Sequence, residues 1–285
     1  MSSTEQKRTI LVTGANRGIG FLIVKKLAKE SLPNSTIILL GSRDLKRGDD
    51  ALIQLGSPSN VHVLQLDTSS RESIIRAKDE INQKYGGQLD VVINNAAIIR
   101  KDLSADAARE IFGTNYYGVK ILNEYLFPLM QENGRIINVS SRAGPIVLYK
   151  ASQALQERYA SSTLTKYQLD QLVEEFISAI ETNTLEHLGY NAEPSFLMYG
   201  VSKAALNALT QVEAYEWSNN KNLLVVSVTP GFCATDMTEH APDARPAELG
   251  ADSILYMVNA LRSELKNGGF YADGQQIPLI SAPIV

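Results

Sequence analysis

Short apolar runs recur along the chain, separated by longer stretches in which apolar residues return every three or four positions. The runs are TILVT (9–13), TIILLG (36–41), VHVLQL (61–66), LDVVIN (89–94), RIINVS (135–140) and LLVVSV (223–228). They are rich in Val, Ile and Leu with little strict alternation, the pattern of strands covered on both faces in a parallel sheet. Between them lie amphipathic segments; in 19–29, Ile19, Leu22, Ile23 and Leu27 share one helical face. Strand and helix in alternation predict a βαβ series and an α/β fold, a doubly wound parallel sheet of Rossmann type. No repeat, low-complexity tract or break in composition divides the 285 residues, so the expectation is one domain over 1–285.

One stretch departs from this rhythm. Between the strand ending near Ser140 and a helix carrying Tyr199 lies an insertion of about 142–195. Thr165 and Gln168 have capping-box spacing, and Leu169, Leu172, Val173, Phe176, Ile177 and Ile180 follow at helical intervals. An extra helical excursion from the sheet is expected, since a structureless loop of that length does not suit a compact domain.

Composition narrows the function. The chain is 44% hydrophobic and 20% charged, enough for a sizeable core, and its net charge of −4 gives no overall attraction to nucleic acid or anionic membrane. A single cysteine, Cys233, forbids an intramolecular disulfide and suits a reducing compartment. The opening MSSTEQKRT has no apolar signal core, and no apolar run approaches the roughly 20 residues needed to span a bilayer. The expected location is cytoplasmic, with no membrane partner. His62, His187 and His240 lack metal-ligand spacing, so no metal is expected.

Candidate chemistry begins after the first run, at TGANRGIG, Thr13 to Gly20. Glycines at 14, 18 and 20 permit a tight turn, and the helix start offers free N–H groups to a pyrophosphate. A plain strand-to-helix turn with no ligand would read alike. The second run ends in Gly41-Ser42-Arg43, where NAD-binding folds usually carry a carboxylate. Arg43 is a forked donor suited to a 2′-phosphate, with Arg17 able to join it, and this favours NADP. Alternatively, Arg43 is a solvated helix-start charge and Asp44 is the NAD-type carboxylate one residue late. Asp67 suits either an adenine amino group or the N-cap of the next helix. In NNAA (94–97) small residues let backbone pass close to a ribose. Tyr199 and Lys203, at i and i+4, share a helical face. A phenol titrates near pH ~10 in water, and a neighbouring ammonium lowers that value, which would make Tyr199 a proton donor to a ketone oxygen.

In order, TGANRGIG, Asp67, NNAA, Asn115 in FGTNYYG, NVSS ending at Ser141, YGVSK and PGFCATDM resemble the short-chain dehydrogenase/reductase family over nearly the whole chain. The resemblance implies that Tyr199 donates the proton, Lys203 tunes it and holds the nicotinamide ribose, and Ser141 hydrogen-bonds the substrate oxygen, with Ser140 the alternative. It implies that Asn115, through a local break in its helix, binds a water linking Lys203 to solvent. It implies NADPH/NADP contacts from Gly14, Asn16, Arg17, Gly18, Ile19 and Gly20, from Arg43, Asp67 and Thr68, from Asn95 and Ala96, from Tyr199 and Lys203, and from Pro230, Gly231 and Thr235. Ser141 and Tyr199 stand 58 positions apart, far more than is usual in the family. A long insertion before the tyrosine resembles the carbonyl reductase branch, which implies NADPH, a small-molecule carbonyl substrate and a monomer. A dehydrogenase running toward oxidation and a non-catalytic NADP-reading regulator are the alternatives; the regulator typically loses the tyrosine or lysine, both present here.

Overall fold

Alternate residues of each strand enter opposite cores, which is why the runs read as almost continuously apolar. Ile10 and Val12 of β1 (Arg8–Val12) pack to one side of the sheet and Leu11 to the other. The structure is a computed structural model and describes residues 7–31, 35–191, 194–218 and 220–283. Most of the polar opening segment, residues 192–193 of the expected insertion and the last two residues lie outside these.

The remaining strands are β2 (Thr36–Ser42), β3 (Val61–Gln65), β4 (Leu89–Asn94), β5 (Met130–Val139), β6 (Leu224–Thr229), β7 (Phe270–Ala272) and β8 (Gln275–Ile277). The sheet order is β3-β2-β1-β4-β5-β6-β7-β8. Strand order reverses beside β1, where the chain leaves for β2 on one side and returns to β4 on the other; a ligand crevice opens at such a point. All pairings are parallel except β7 with β8. The doubly wound parallel sheet is present, with one antiparallel strand added at its edge. Two three-residue strands closed by Gly274 at φ +80 form a terminal hairpin.

Helices α1 (Gly18–Glu30), α2 (Leu45–Gln54), α3 (Arg71–Lys84), α4 (Ala105–Phe112) and α5 (Gly118–Leu126) link the first five strands. Ile23, Val24 and Leu27 of α1 meet Ile254, Met257 and Val258 of α10 (Ala247–Asn259) in one core. On the opposite face, Ile74 and Ile81 of α3 pack with Leu122 and Leu126 of α5.

The insertion supplies α6 (Ala143–Lys150), α7 (Gln153–Ala160) and α8 (Lys166–Glu181) before α9 (Pro194–Glu216), which carries Tyr199. The Thr165 capping box is formed: the Gln168 N–H donates to the Thr165 hydroxyl at 3.2 Å, and the Thr165 N–H donates to Gln168 Oε1 at 3.0 Å. Leu169, Leu172, Val173, Phe176 and Ile177 of α8 fill a third core with α4 and α9. Beyond α4 the helix widens into a π-turn, Gly113–Tyr117, before α5 begins. From that turn the Tyr116 hydroxyl donates to Asp170 of α8 at 2.8 Å, and the Tyr117 hydroxyl donates to Glu174 at 2.7 Å. Lys120 of α5 also holds Asp170.

Candidate active site

The TGANRGIG turn is pressed against the end of β4. Gly14 has φ +62, and a Cβ on it would lie 3.0 Å from Ala96 Cα. A Cβ on Gly20 would lie 2.5 Å from Asn95 Nδ2 and 2.6 Å from the Gly14 carbonyl. Thr13 locks the approach: its hydroxyl accepts from the Asn95 and Ala96 N–H groups at 3.0 and 2.9 Å, while Asn95 Nδ2 donates to the Thr13 carbonyl at 2.9 Å. Gly18, at φ +57, differs. A Cβ there would meet only Thr235 at 3.9 Å and would stand in the open cleft. The missing side chain leaves a backbone-lined cradle at the start of α1, where N–H groups and the helix dipole favour an anion.

That cleft runs from the exit of β2 to α9. At its outer end stand Arg43 and Arg47, both exposed. Asp44 lines the same end, and its Oδ1 accepts from the Arg47 N–H at 3.0 Å and caps α2. Arg17 is tied to Asp236 of the loop after β6 at 2.9 Å. Along the wall, Asp67 accepts from the N–H and hydroxyl of Ser69 at 2.9 and 2.7 Å, beside buried Thr68. The N-cap of α3 is Ser70, so the capping alternative for Asp67 is corrected.

At the inner end lie Tyr199 and Lys203. Lys203 is 2% exposed; its ammonium donates to the Val139 carbonyl at 2.9 Å and sits 5.7 Å from the Tyr199 ring centroid. Burial drives Lys203 down to about 7. Burial pushes the half-buried Tyr199 phenol up to about 12, and a hydrogen bond with the Ser141 hydroxyl restrains that rise. Removing water opposes both charged forms, the phenolate and the ammonium alike. Ser140 is 2% exposed and donates to the Lys203 carbonyl at 3.3 Å, which leaves Ser141 as the hydroxyl on the phenol.

Asn115 sits in the π-turn, fully buried. Its Oδ1 accepts from the Ile98 N–H at 2.9 Å, and its Nδ2 donates to the Ile98 carbonyl at 3.0 Å and to the Ser202 hydroxyl at 3.1 Å. The expected helix break is present, and the amide is spent on fixing the loop after β4. Pro230 and Thr235 line the cleft; Gly231, at φ +78, turns behind them against Arg245.

The family profile described as short chain dehydrogenase matches residues 8–175 and 182–246. Carbonyl reductase [NADPH] 3 of Homo sapiens is 33% identical over 263 residues, covering 88% of this chain and 90% of the relative. (+)-Neomenthol dehydrogenase of Capsicum annuum is 31% identical over 299 residues, covering 88% and 91%. The chain belongs to the short-chain dehydrogenase family. Among solved structures, salutaridine reductase from Papaver somniferum superposes with a TM-score of 0.81 at 28% identity, covering 93% of this chain and 99% of that one.

In this short-chain dehydrogenase the cleft gathers Gly14, Asn16, Arg17, Gly18 and Ile19 with Arg43, Asp67, Thr68, Asn95, Ala96, Tyr199, Lys203, Pro230 and Thr235. Gly20, Asn115, Ser141 and Gly231 are not among its walls; the first two and Gly231 shape it from behind, and Ser141 reaches it through the phenol. Sequence reading missed Thr13, whose only signal was a hydroxyl closing a buried strand before a glycine turn. It missed Arg47, one turn beyond Arg43, and the Val139 carbonyl that anchors Lys203. Cys233 is a packed residue, 3% exposed, bonded to the Pro230 carbonyl at 3.1 Å. Among the described residues no group of His, Cys, Asp and Glu is arranged to hold a metal, and no helix is long and apolar enough to cross a membrane.

Proposed function

We propose that the protein is an NADPH-dependent carbonyl reductase acting on small ketones or aldehydes. When bound, the nicotinamide cofactor supplies the hydride. The open cradle at Gly18 and the helix start behind it suit the pyrophosphate, Asp67 suits the adenine amino group, and Arg43 with Arg47 suits a 2′-phosphate. Asp44 lines the cleft too, but its Oδ1 is engaged in capping α2, whereas the Arg43 and Arg47 guanidinium groups stand exposed there. Relatives named as NADPH carbonyl reductases support the same choice.

The observation that carries the reading is Tyr199, hydrogen-bonded to Ser141 and flanked by buried Lys203 at the inner end of that cleft. As negative charge grows on a carbonyl oxygen, the Tyr199 hydroxyl donates its proton there and the Ser141 hydroxyl donates a hydrogen bond. Lys203 supplies positive charge behind the phenol from an anchor on the Val139 carbonyl. Burial pushes the Tyr199 phenol up, so the hydroxyl carries the proton that reduction needs. The retained Tyr199, Lys203, Ser141 and Asn115 argue against a non-catalytic regulator. We extend the reading to a single domain over 1–285 acting as a cytoplasmic monomer, with α8 covering α4 and α9 within one chain; light scattering tests the monomer.

The test is consumption of NADPH with a panel of ketones, comparing wild type and Tyr199→Phe. Loss of general acid catalysis predicts a fall in kcat of about 10²–10⁴-fold, with NADPH affinity unchanged. Wild-type rates in the variant would refute the assignment, and tight NADPH binding without turnover of any carbonyl would favour the regulator.

A further inference from the structure

Helix α9 continues past Lys203 with Asn207, Thr210 and Glu213, spaced i, i+4, i+7 and i+10 on one face. All four are buried, with exposures of 2%, 2%, 0% and 0%. A helix face packed on the middle of a sheet is ordinarily apolar, and a carboxyl without water is costly there. The sheet carries its own polar row, although the Asn207 amide on the helix and the Ser227 hydroxyl on the sheet make no side-chain hydrogen bond. Asn94 of β4 is in register with Asn138 of β5, and Asn138 with Ser227 of β6.

The contacts form one continuous brace. Asn94 Nδ2 donates to Asn138 Oδ1 and to Asn123 Oδ1 of α5, both at 2.8 Å. Asn138 Nδ2 donates to the Thr210 hydroxyl at 2.9 Å, and Asn123 Nδ2 donates to Glu213 Oε2 at 2.8 Å. Both strand ends then enter the site. The residue after Asn94 is Asn95, which clasps the glycine turn, and the residue after Asn138 is Val139, whose carbonyl anchors Lys203. We propose that Glu213 is a positioning residue for the reduction, closing a brace of Asn123, Asn94, Asn138 and Thr210 that holds the outgoing ends of β4 and β5 against α9 and so sets the placement of Lys203.

Protonation bears on this brace. Glu213 Oε1 has no hydrogen-bond partner, and the Lys166 ammonium of α8 stands 3.9 Å away. That ammonium is shared with Glu216 of α9 at 3.0 Å and Glu124 of α5 at 3.6 Å. Burial pushes Glu213 up to about 8, above the pull of Lys166 and Asn123. The neutral acid therefore occupies the brace below that pH. Ionisation above it places a third carboxylate around one ammonium and puts a buried charge at the end of the brace.

The proposal rests on the carbonyl reductase reading, and the experiment separates the two. Kinetics for one reducible ketone are measured from about pH 6 to about pH 10 for wild type, Glu213→Gln and Glu213→Leu. Gln keeps a carbonyl acceptor for Asn123 and cannot ionise; Leu leaves that amide orphaned. Leu is expected to lower kcat about 10-fold or more with little change in ketone KM, and Gln to restore it. The ratio of wild-type to Gln activity is expected to change in one titration near pH 8. In the cofactor-free protein, side-chain amide NMR signals of Asn94, Asn123 and Asn138 are expected to move together over that range in wild type and to stand still in the Gln variant. A folded Leu variant with wild-type kcat would overturn the proposal. So would superimposable wild-type and Gln pH profiles, which remain decisive if the Leu variant does not fold. Failure of wild type to reduce any ketone would sink the functional reading instead, and the NMR titration would still decide the brace.

Discussion

Arg43→Ala is the sharpest test of the cofactor. Arg43 stands exposed at the outer end of the cleft, beside Arg47, and the neighbouring Asp44 is engaged in capping α2. Hydrogen bonds to charged groups contribute about 1.5–3 kcal/mol, and each 1.4 kcal/mol is a factor of ten in affinity. Solvent exposure and salt reduce this, so the lower end applies: Kd for NADPH should rise about 10-fold at low ionic strength and by less at physiological salt. Kd for NADH, which has no 2′-phosphate, should change less than about 2-fold. Arg47→Ala should act in the same direction, and the double variant should remove most of the preference. Arg17→Ala should matter less, because Arg17 must first leave Asp236. Titration calorimetry with both nucleotides at two salt concentrations measures all of these. An equal loss for NADPH and NADH, or a loss insensitive to salt, would refute the assignment of Arg43 to the phosphate.

The glycine turn and the insertion carry further expectations. Gly20→Ala places a Cβ 2.5 Å from Asn95 Nδ2 and should cost about 1–3 kcal/mol in thermal or urea unfolding, together with most nucleotide affinity. Phe176→Ala empties the centre of the core between α8 and α4 and should cost about 3–5 kcal/mol in urea unfolding; a smaller change with unaltered kcat would show that this helix is loosely attached. Glu213 is held above its ordinary 4.5, so the folded state binds the extra proton between about 4.5 and about 8. Wild-type stability should therefore fall relative to Glu213→Gln as pH rises through that window and level off above it. Parallel urea melts at the two ends of the window check the sign.

Six of the eight strands were legible because burial on both faces makes them apolar throughout. β7 and β8 are too short for any periodicity to register. The α8 start was legible because a capping box is local chemistry. α6 and α7 were not, having no such signal. Residue types at the site were legible from motif order, but their electrostatics were not. Spacing alone carries no burial, and it is α9 that places Lys203 against β5, away from water, where desolvation moves both groups. Asp44 and Asp67 were ambiguous for a related reason. Whether a carboxylate caps a helix depends on the backbone around it, and the same residue type does so at 44 and not at 67.

The hydroxyls of Tyr116 and Tyr117, bonded to α8, have a practical consequence for protein engineering. They directly follow Asn115 in the widened turn, so the added helix grips the segment that fixes the loop after β4. Chimaeras that trim residues 161–191, or exchange them with a shorter-looped homologue, would unclamp both phenols at once. Such grafts should transplant the two tyrosines and Lys120 along with Asp170 and Glu174, as a single cassette.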